Sequence, residues 1–449
     1  MKMKVIKFGG TSVGNSENIR KVVKIIQGKE RKIVVFSAMS GTTDFLVCVI
    51  NHLKLGHIEN AKLIFKEIIQ KYLITAYELI KRRNSINDYL LFLEKTCTNI
   101  NHLITKPVTK TSENKILSQG ELITVELIKY YLKEINKSVI VLPALEIIQL
   151  TEQDNPDYNL IENNINFYLE KHPDENLFIT QGFICKNHYN EIDNLKRGGS
   201  DYTATILGSV TNSDEIQIWS DIDGLHNNDP RYVSFTKCVK QLSYEEAEEL
   251  AYFGAKVLHP TCIYPAKIKK IPILLKNTMN PSAEGTRIYD FYKSNGIKAI
   301  AAKDGLIAIK IHSGRMLLAY GFLKKIFEIF EYYRTPVDMI TTSEVSVSVT
   351  IDNPNALTEI INDLSKLGTV DVFPKQSIIC VVGNFKLEVK GIIAEVLQSI
   401  KHIPVRMLSY GASENNFSIL VHETQKKEVL RSLHANLFSN NEIPISVIN

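Results

Sequence analysis

The sequence contains few cysteines, little charge imbalance and no long hydrophobic run. Its six cysteines are scattered through 449 residues, without a CxxC pair or a cluster with histidine. This pattern favours reduced thiols over a disulfide framework or a zinc site. The formal net charge is only +4, so composition predicts neither nucleic-acid nor membrane binding. The first residues reach glycine too early for a signal peptide, and no apolar run approaches a membrane span. We therefore expect a cytoplasmic protein.

The common nucleotide-binding signatures are also missing. The sequence has no GxxxxGK[ST] loop and no HRD and DFG pair. The SDIDG run at 220–224 matches only a fragment of a calcium loop, so no protein-bound metal site is predicted. Hydrophobic content of 44% and charged content of 23% are nevertheless typical of a globular enzyme.

Short apolar runs alternate with helical patterns through the first 290 residues. KIVVFSA at 32–38 is almost continuously apolar, which is typical of a strand covered on both faces of its sheet. Further strands are predicted at 4–8, 138–142, 176–180, 215–219 and 272–277, and a helical block at 44–132 is interrupted at 118–121. The alternation indicates an α/β fold with a mainly parallel sheet. Ligands of such sheets bind beyond the carboxyl ends of the strands.

Glycine loops with neighbouring cations follow two of these segments. Lys7 precedes Gly9 and Gly10, and Arg197 precedes a second glycine pair in LKRGGSDYTAT at 195–205. A helix is predicted to begin there, with Ser200 or Asp201 as its N-cap. Glycines before a helix N-terminus let N–H groups converge on an anion, and cations neutralise phosphate oxygens. The loops indicate phosphoryl transfer, whereas the alternative is an ordinary capped loop with a solvated lysine.

The last third of the chain contains an internal repeat. PVDMI at 336–340 returns as PVRML at 404–408. Each copy follows an amphipathic helix (322–332 and 389–400) and precedes an alternating strand (346–351 and 417–421). This pattern predicts a duplicated βαββα unit. The first copy can use 371–373 as its final strand, and the second can use either 297–302 or the tail at 443–448, which would cover an open sheet edge.

Six motifs occur in order along the chain: KFGGTSV at 7–13, SQGE at 118–121, QGF at 181–183, RGGSDYTA at 197–204, WSDIDGLHNNDPR at 219–231 and AKVLHP at 255–260. With them the chain resembles the aspartokinases of the amino acid kinase family. The repeated part, including VDMITTSEVSVSV at 337–349, resembles their paired ACT domains. The resemblance covers essentially the whole chain. It implies an amino acid kinase domain at 1–290, in which helices sandwich a mainly parallel sheet, followed by two ferredoxin-like βαββαβ ACT domains.

The same resemblance implies the domain limits and the activity. The first ACT domain is expected at 305–376 and the second at 297–304 plus 377–449, so that the first is inserted in the second. The implied reaction is ATP-dependent phosphorylation of the side-chain carboxylate of L-aspartate, the first step of lysine, threonine and methionine biosynthesis. That carboxylate has a pKa of about 4 and is already ionised at neutral pH, so no general base is required. Because no homoserine dehydrogenase segment follows, the monofunctional, lysine-sensitive type is expected.

The implied site residues fall into three groups. Lys7 and Asp201 would be catalytic, with Asp201 orienting the lysines, while Arg197 would bind a carboxylate of aspartate and Glu121 its ammonium. The full set expected around aspartate is Thr43, Glu121, Arg197, Gly198, Gly199 and Ser200. The set expected around ATP is Lys7, Phe8, Gly9, Gly10, Ser220, Asp221, His226, Arg231, Lys256 and Val257. Mg²⁺ would accompany ATP, held by phosphates and water. His226 departs from the aromatic or larger apolar residue that is usual near this position.

ACT domains imply feedback regulation by an amino acid. The expected effector is lysine, with threonine as the next candidate, and the expected contacts are Met316, Gly321, Phe322, Leu323, Val337, Asp338, Ser343 and Glu344. Leu318 and Ala319 stand where a lysine-inhibited relative carries polar residues, which predicts weakened affinity. ACT sheets that pair across a two-fold axis imply at least a homodimer, with a tetramer as the larger alternative. Two other functions remain as alternatives: a glutamate-type amino acid kinase and a non-catalytic amino-acid sensor.

Overall fold

The computed structural model describes residues 3–196, 198–254, 258–290, 296–316, 320–386 and 390–438. They form two compact units. The first comprises Met1–Leu225, Lys240–Tyr244 and Val257–Asp290, and the second comprises His226–Val239, Glu245–Lys256 and Phe291–Asn449. The domain limits given above stay a prediction. Within the described residues, no helix is long and apolar enough to cross a membrane.

The strands are β1 (Met3–Phe8), β2 (Arg31–Phe36), β3 (Ile140–Leu142), β4 (Leu177–Gln181), β5 (Ile184–Lys186), β6 (Ile192–Asn194), β7 (Glu215–Ser220), β8 (Gln241–Leu242), β9 (Ile273–Asn277), β10 (Thr286–Ile288), β11 (Ile297–His312), β12 (Met339–Thr342), β13 (Ser346–Ile351), β14 (Thr369–Gly383), β15 (Met407–Ser409) and β16 (Asn416–His422). The helices are α1 (Ser16–Ile25), α2 (Thr42–Lys54), α3 (Ile58–Leu79), α4 (Arg83–Ile104), α5 (Lys110–Leu117), α6 (Gln119–Glu134), α7 (Ala144–Ile147), α8 (Tyr158–Lys171), α9 (Gly199–Val210), α10 (Tyr244–Tyr252), α11 (Tyr264–Ile268), α12 (Phe322–Tyr332), α13 (Leu357–Ser365), α14 (Ile392–Ser399) and α15 (Lys426–Phe438).

The first unit contains an eight-stranded sheet in the order β3-β4-β2-β1-β7-β9-β10-β8. The strands β3, β4, β2, β1, β7 and β9 are mutually parallel. Ile33, Val34, Val35 and Phe36 of β2 are all fully buried, because layers of side chains cover both faces of a parallel sheet. The carboxyl ends of β1, β2, β4 and β7 therefore bring their following loops to one edge, as the strand pattern predicts.

The helical block between β2 and β3 consists of five helices, α2 to α6. Their apolar faces share one core with α1, β1 and β2, which includes the fully buried Leu46, Tyr72, Tyr89 and Ile100. The SQGE interruption predicted at 118–121 is the junction of α5 and α6, where Ser118 separates the two helices. Glu121 consequently lies in the first turn of α6.

The second unit contains a six-stranded sheet in the order β12-β13-β11-β14-β16-β15. The two long central strands, β11 and β14, are antiparallel and each contributes to both halves. Register shifts separate the pairing of 297–303 with 378–383 from that of 306–312 with 369–376, and Gly305 between them has a φ of 78°. The segment 297–303 thus pairs with the second repeat, whereas the alternative tail at 443–448 lies outside the described residues.

Each half of this sheet has its own core. In the first half, isoleucines and valines of β11 and β13 pack against α12 and α13. In the second half, β14 and β16 pack against α14 and α15. The helices and strands predicted at 322–332, 346–351 and 417–421 correspond to α12, β13 and β16.

Candidate active site

Lys7 lies near the carboxyl end of β1 and is only 9% exposed. Its Nζ is 2.6 Å from Oδ1 of Asp201, which lies in the first turn of α9. Burial of an unpaired ammonium would be costly, and this ion pair offsets that cost. Two residues predicted to be catalytic are thereby joined across the end of the sheet.

The loop after β1 approaches its neighbours closely. The Gly9 N–H donates to the Trp219 carbonyl of β7 at 3.0 Å. A Cβ on Gly10 would lie 2.9 Å from the Ala38 carbonyl oxygen. Real Cβ atoms do not approach other atoms this closely, so a side chain here would force the backbone to shift. Gly10 therefore lets this loop pass close to the end of β2, whereas a Cβ on Gly9 would make only an ordinary contact, 3.5 Å from the Trp219 carbonyl oxygen.

The start of α9 corrects one prediction. Gly198, not Ser200 or Asp201, is the N-cap, and it has a left-handed φ of 68°. A side chain at Gly198 would also meet His259 at 2.7 Å, so both conformation and space require glycine. Ser200 and Asp201 lie inside the first turn, and among the described residues no side chain caps the helix. As in any α-helix, the first N–H groups of α9 have no partner within the helix. They lie beside the cavity described next.

A cavity of about 260 Å³ opens at this edge, large enough for a small amino acid because one water occupies about 30 Å³ of liquid. It is lined by Lys7, Ser37, Thr43, Glu121, Phe183, Lys196, Gly198, Gly199, Ser200 and Asp201. Seven of these are predicted site residues, and the structure brings them together. Sequence reasoning missed Ser37, Phe183 and Lys196 as lining residues. The sequence could have indicated Lys196 as a site residue, because this lysine is the immediate neighbour of Arg197.

Glu121 is an unusual member of this lining. It is 3% exposed, and its Oε1 accepts a hydrogen bond from the Ala38 N–H at 3.2 Å. Its Oε2 is buried and has no hydrogen-bond partner among the described residues. Burial raises the pKa of Glu121 to about 8, although the Ala38 N–H and the charge of Lys7 oppose the rise. An unpartnered carboxylate oxygen in a cavity suits a ligand cation.

Some of the residues predicted around ATP lie at the adjacent ends of β1 and β7. Phe8, Gly9 and Gly10 end or follow β1, and Ser220 ends the adjacent β7, with Asp221 next. His226 and Arg231 belong to the second unit. There, His226 Nδ1 lies 2.8 Å from Thr236 Oγ1, and Arg231 Nη2 lies 2.6 Å from Asp229 Oδ2. Arg197, Lys256 and Val257 lie outside the described residues. The described part of the chain contains no group of three or more His, Cys, Asp or Glu residues that could hold a metal ion.

The predicted effector residues lie around α12 and the β12–β13 hairpin of the second unit. Met316 ends a short 3-10 turn, Gly321 caps α12 with a φ of 78°, and Phe322 and Leu323 begin that helix. Met316, Phe322 and Val337 contribute to one apolar core, whereas Ser343 and Glu344 are exposed in the hairpin turn. Leu318 and Ala319 lie outside the described residues.

Asp338, one of the predicted effector contacts and the only one of them that could bind an ammonium from a buried position among the described residues, is already paired. Its Oδ1 lies 2.6 Å from Lys303 Nζ and accepts a hydrogen bond from the Tyr252 hydroxyl at 2.6 Å. Its side chain is only 2% exposed, and Oδ2 has no hydrogen-bond partner in the described part of the chain. An internal ammonium therefore occupies the group expected to bind the effector.

Comparison with known proteins identifies the family. The chain matches the amino acid kinase family over residues 2–277 and an ACT domain over residues 379–437. It is 33% identical over 461 residues to chloroplastic aspartokinase 3 of Arabidopsis thaliana, covering 97% of this chain and 81% of the relative. It is 31% identical over 450 residues to lysine-sensitive aspartokinase 3 of Escherichia coli, covering 97% and 99% of the two chains.

The solved structures agree with this result. Escherichia coli aspartokinase III in complex with aspartate and ADP has a TM-score of 0.85 with this chain at 30% identity, covering 98% of this chain and all of the other. The predicted fold class, an amino acid kinase fold followed by ACT domains, is confirmed. The chain belongs to the aspartokinases, within the amino acid kinase family.

Proposed function

We propose that the chain transfers the γ-phosphoryl group of ATP to the side-chain carboxylate of L-aspartate, giving 4-phospho-L-aspartate and ADP. The observation that carries this function is the cavity at the sheet edge. A lysine–aspartate pair lines it together with a glutamate oxygen that has no hydrogen-bond partner among the described residues. The cavity thus offers a cation for phosphate oxygens and an anion for an amino acid's ammonium. The relatives are aspartokinases, which favours aspartate over the glutamate-kinase and sensor alternatives.

The chemistry requires positioning rather than a general base. An oxygen of the aspartate carboxylate attacks the γ-phosphorus, the bond to the bridging oxygen breaks, and ADP leaves with that electron pair. Lys7 lies at the end of β1, where its charge stabilises the transition state as negative charge moves between oxygens. Asp201 holds the ammonium of Lys7 at 2.6 Å. Mg²⁺ that arrives with ATP would neutralise β- and γ-phosphate oxygens.

Glu121 and Arg197 would hold the two charged ends of the amino acid. Glu121 Oε2 would accept hydrogen bonds from the α-ammonium, because it is buried beside the cavity and no described residue bonds to it. Arg197 would bind the α-carboxylate with its planar fork. Thr43 and the residues Gly198, Gly199 and Ser200 border the space between them.

We also propose feedback inhibition by lysine at the ACT domains. The Escherichia coli relative is described as lysine-sensitive, and Asp338 has one buried oxygen without a partner in the described part of the chain. Since ACT sheets pair across two-fold axes, a homodimer is the smallest assembly expected.

ADP release tests the reaction directly. We expect ADP formation with L-aspartate and not with L-glutamate or N-acetyl-L-glutamate, and hydroxylamine should trap the acyl phosphate as aspartyl hydroxamate. Lysine, threonine and methionine, added in turn at millimolar concentration, then identify the effector. ADP release that is independent of aspartate, or faster with glutamate, would contradict the proposed reaction.

A further inference from the structure

Tyr72 lies within α3, a helix in which none of the six sequence motifs falls. It is fully buried, and four polar groups surround its hydroxyl: the Gly120 carbonyl at 3.1 Å, Thr124 Oγ1 at 2.8 Å, the Met39 N–H at 3.3 Å and Thr42 Oγ1 at 3.4 Å. Two of these groups belong to α6, one belongs to the loop after β2, and Thr42 is the first residue of α2, which follows that loop. A single buried hydroxyl thus connects two segments that are distant in sequence.

Both connected segments contribute to the cavity. The loop after β2 supplies Ser37 and leads to Thr43, while the first turn of α6 supplies Glu121. The two segments also approach each other closely, since a Cβ on Gly120 would lie 2.6 Å from Ala38 Cβ. The distance between Thr43 and Glu121 therefore depends on how this loop packs against α6.

The chemistry of the Tyr72 hydroxyl suits this connection. As donor it can reach the Gly120 carbonyl, and as acceptor it receives the Met39 N–H, so it is bonded on both sides. Burial raises the pKa of Tyr72 to about 12, although hydrogen bonds with Thr124, Thr42 and Met39 oppose the rise. The phenol consequently keeps its proton throughout the pH range of an enzyme assay.

The preceding residue holds the same loop from outside. Lys71 Nζ donates to the Ser40 carbonyl at 2.5 Å, and the Ser40 N–H donates to the Gly10 carbonyl at 3.0 Å. Two consecutive residues of α3 thus contact Met39 and Ser40 of the loop and Thr42 at the start of α2.

We propose that Tyr72 is a positioning residue for the acceptor amino acid, which sets the spacing between Thr43 and Glu121 without touching the substrate. This inference rests on the proposed function. It predicts that loss of the hydroxyl weakens aspartate binding selectively, because the phosphate loop after β1 makes no hydrogen bond to Tyr72 among the described residues.

The test is Tyr72→Phe, with Tyr89→Phe as the matched control. Tyr89 is also fully buried in the same core, but its hydroxyl has no hydrogen-bond partner in the described part of the chain. Tyr72→Phe removes the hydroxyl that connects the two segments, while Thr124 Oγ1 still bonds the Gly120 carbonyl and the Met39 N–H. Because the spacing of the two segments then loses a direct support, we expect this variant to raise the KM for aspartate by about tenfold. The KM for ATP should change by less than about twofold, and Tyr89→Phe should change neither constant by more than that.

Several results would overturn the proposal. One is a Tyr72→Phe enzyme whose melting temperature falls while its KM for aspartate stays normal, since the hydroxyl would then be only structural. Equal changes in both KM values, or the same changes in Tyr89→Phe, would do the same. If Tyr72→Phe does not fold, Lys71→Met gives the second test, because its ammonium is at the surface; an unchanged KM for aspartate there contradicts the proposal. Wild-type ADP release with aspartate, measured in parallel, shows separately whether the proposed reaction is right.

Discussion

A largely buried lysine–aspartate pair lies in each unit, and the two pairs differ in what surrounds them. Both have an N–O distance of 2.6 Å. Lys7 and Asp201 line a cavity in which a second carboxylate, that of Glu121, has an oxygen without a hydrogen-bond partner in the described part of the chain. The Lys303 ammonium is instead shared by Asp338 and Asp352, at 2.6 and 3.0 Å, and lies 4.8 Å from the centre of the Tyr252 ring.

The difference separates a site open to ligands from one closed by the chain itself. Burial disfavours the charged form of Lys303, but hydrogen bonds with Asp338 and Asp352 outweigh it and raise the pKa of this lysine. Burial and the Asp338 carboxylate also raise the pKa of Tyr252. At Glu121 a ligand ammonium displaces a proton but no described side-chain ammonium, whereas at Asp338 it must compete with Lys303.

The largest expected effect comes from removing the ammonium of Lys7 from the pair with Asp201. Lys7→Met should lower kcat by roughly two or more orders of magnitude, because its charge matters most in the transition state. ATP binding should suffer less. Lys32→Met is the matched control: Lys32 is 3% exposed on the neighbouring strand, and burial lowers its pKa, but it does not line the cavity. Steady-state kinetics of both variants test this, and near-normal turnover of Lys7→Met would exclude the lysine from the mechanism.

Arg197→Lys tests how the open site holds its substrate. If the guanidinium binds a carboxylate of aspartate, the KM for aspartate should rise far more than that for ATP. The loss of binding free energy should be about a few kcal/mol at most. This expectation comes from the sequence, since Arg197 lies outside the described residues. Equal damage to both constants would indicate lost folding or phosphate binding instead.

The pKa of Glu121 predicts a pH dependence. With a pKa of about 8, the free enzyme holds this carboxyl protonated at lower pH, and an ammonium ligand must displace the proton. The KM for aspartate should therefore fall about tenfold per pH unit as pH rises toward 8, then level off. Glu121→Gln should raise this KM and abolish the pH dependence. A wild-type KM that is independent of pH between 6 and 8 would contradict the role of Glu121.

The titration of Glu121 should also affect the stability of the protein. A rise in pH favours aspartate binding but should lower the free energy of unfolding. The pKa is raised from 4.5 to about 8, so between these values the folded state holds a proton that the unfolded state has lost. The free energy of unfolding should fall as pH rises through this window. Chemical denaturation at several pH values measures this, and the Glu121→Gln enzyme should lack this contribution.

The smallest expected effects concern the pair of Lys303 and Asp338. Asp338→Ala should relieve inhibition by lysine, because coupling requires an effector that binds the two enzyme states differently. Lys303→Met should make lysine inhibit at a concentration about tenfold lower, since the competing ammonium is gone and a charged hydrogen bond becomes available. Lys310→Met, an exposed lysine on the same strand, is the control. Inhibition curves measure all three.

Two outcomes would reject this account of regulation. If millimolar lysine changes neither the activity nor the melting temperature of the wild type, lysine is not the effector, and threonine becomes the candidate. If Lys303→Met leaves the inhibition curve of a lysine-sensitive enzyme unchanged, Lys303 does not compete with the effector for Asp338.

Patterns that are local in sequence were predictable. The apolar run at 32–38 corresponds to β2, and the glycine loops stand where the chain passes other backbone closely. The cap of α9 was predicted wrongly, because Ser200 and Asp201 are good capping residues by type, whereas the left-handed turn at Gly198 depends on the space left by His259. The role proposed for Tyr72 could not be predicted from the sequence, since a tyrosine on the buried face of a helix is usually only a core residue.

Sequence alone determined which segments become strands and helices, and with them the order of the motifs, because periodicity and glycine act over a few residues. Tertiary structure decided which groups meet at the cavity and at Asp338. The Ala38 N–H reaches a carboxylate 83 positions away, and Tyr252 and Asp338 lie 86 positions apart. The pKa of Glu121 likewise follows from burial, and burial is a property of the packed fold rather than of any local pattern.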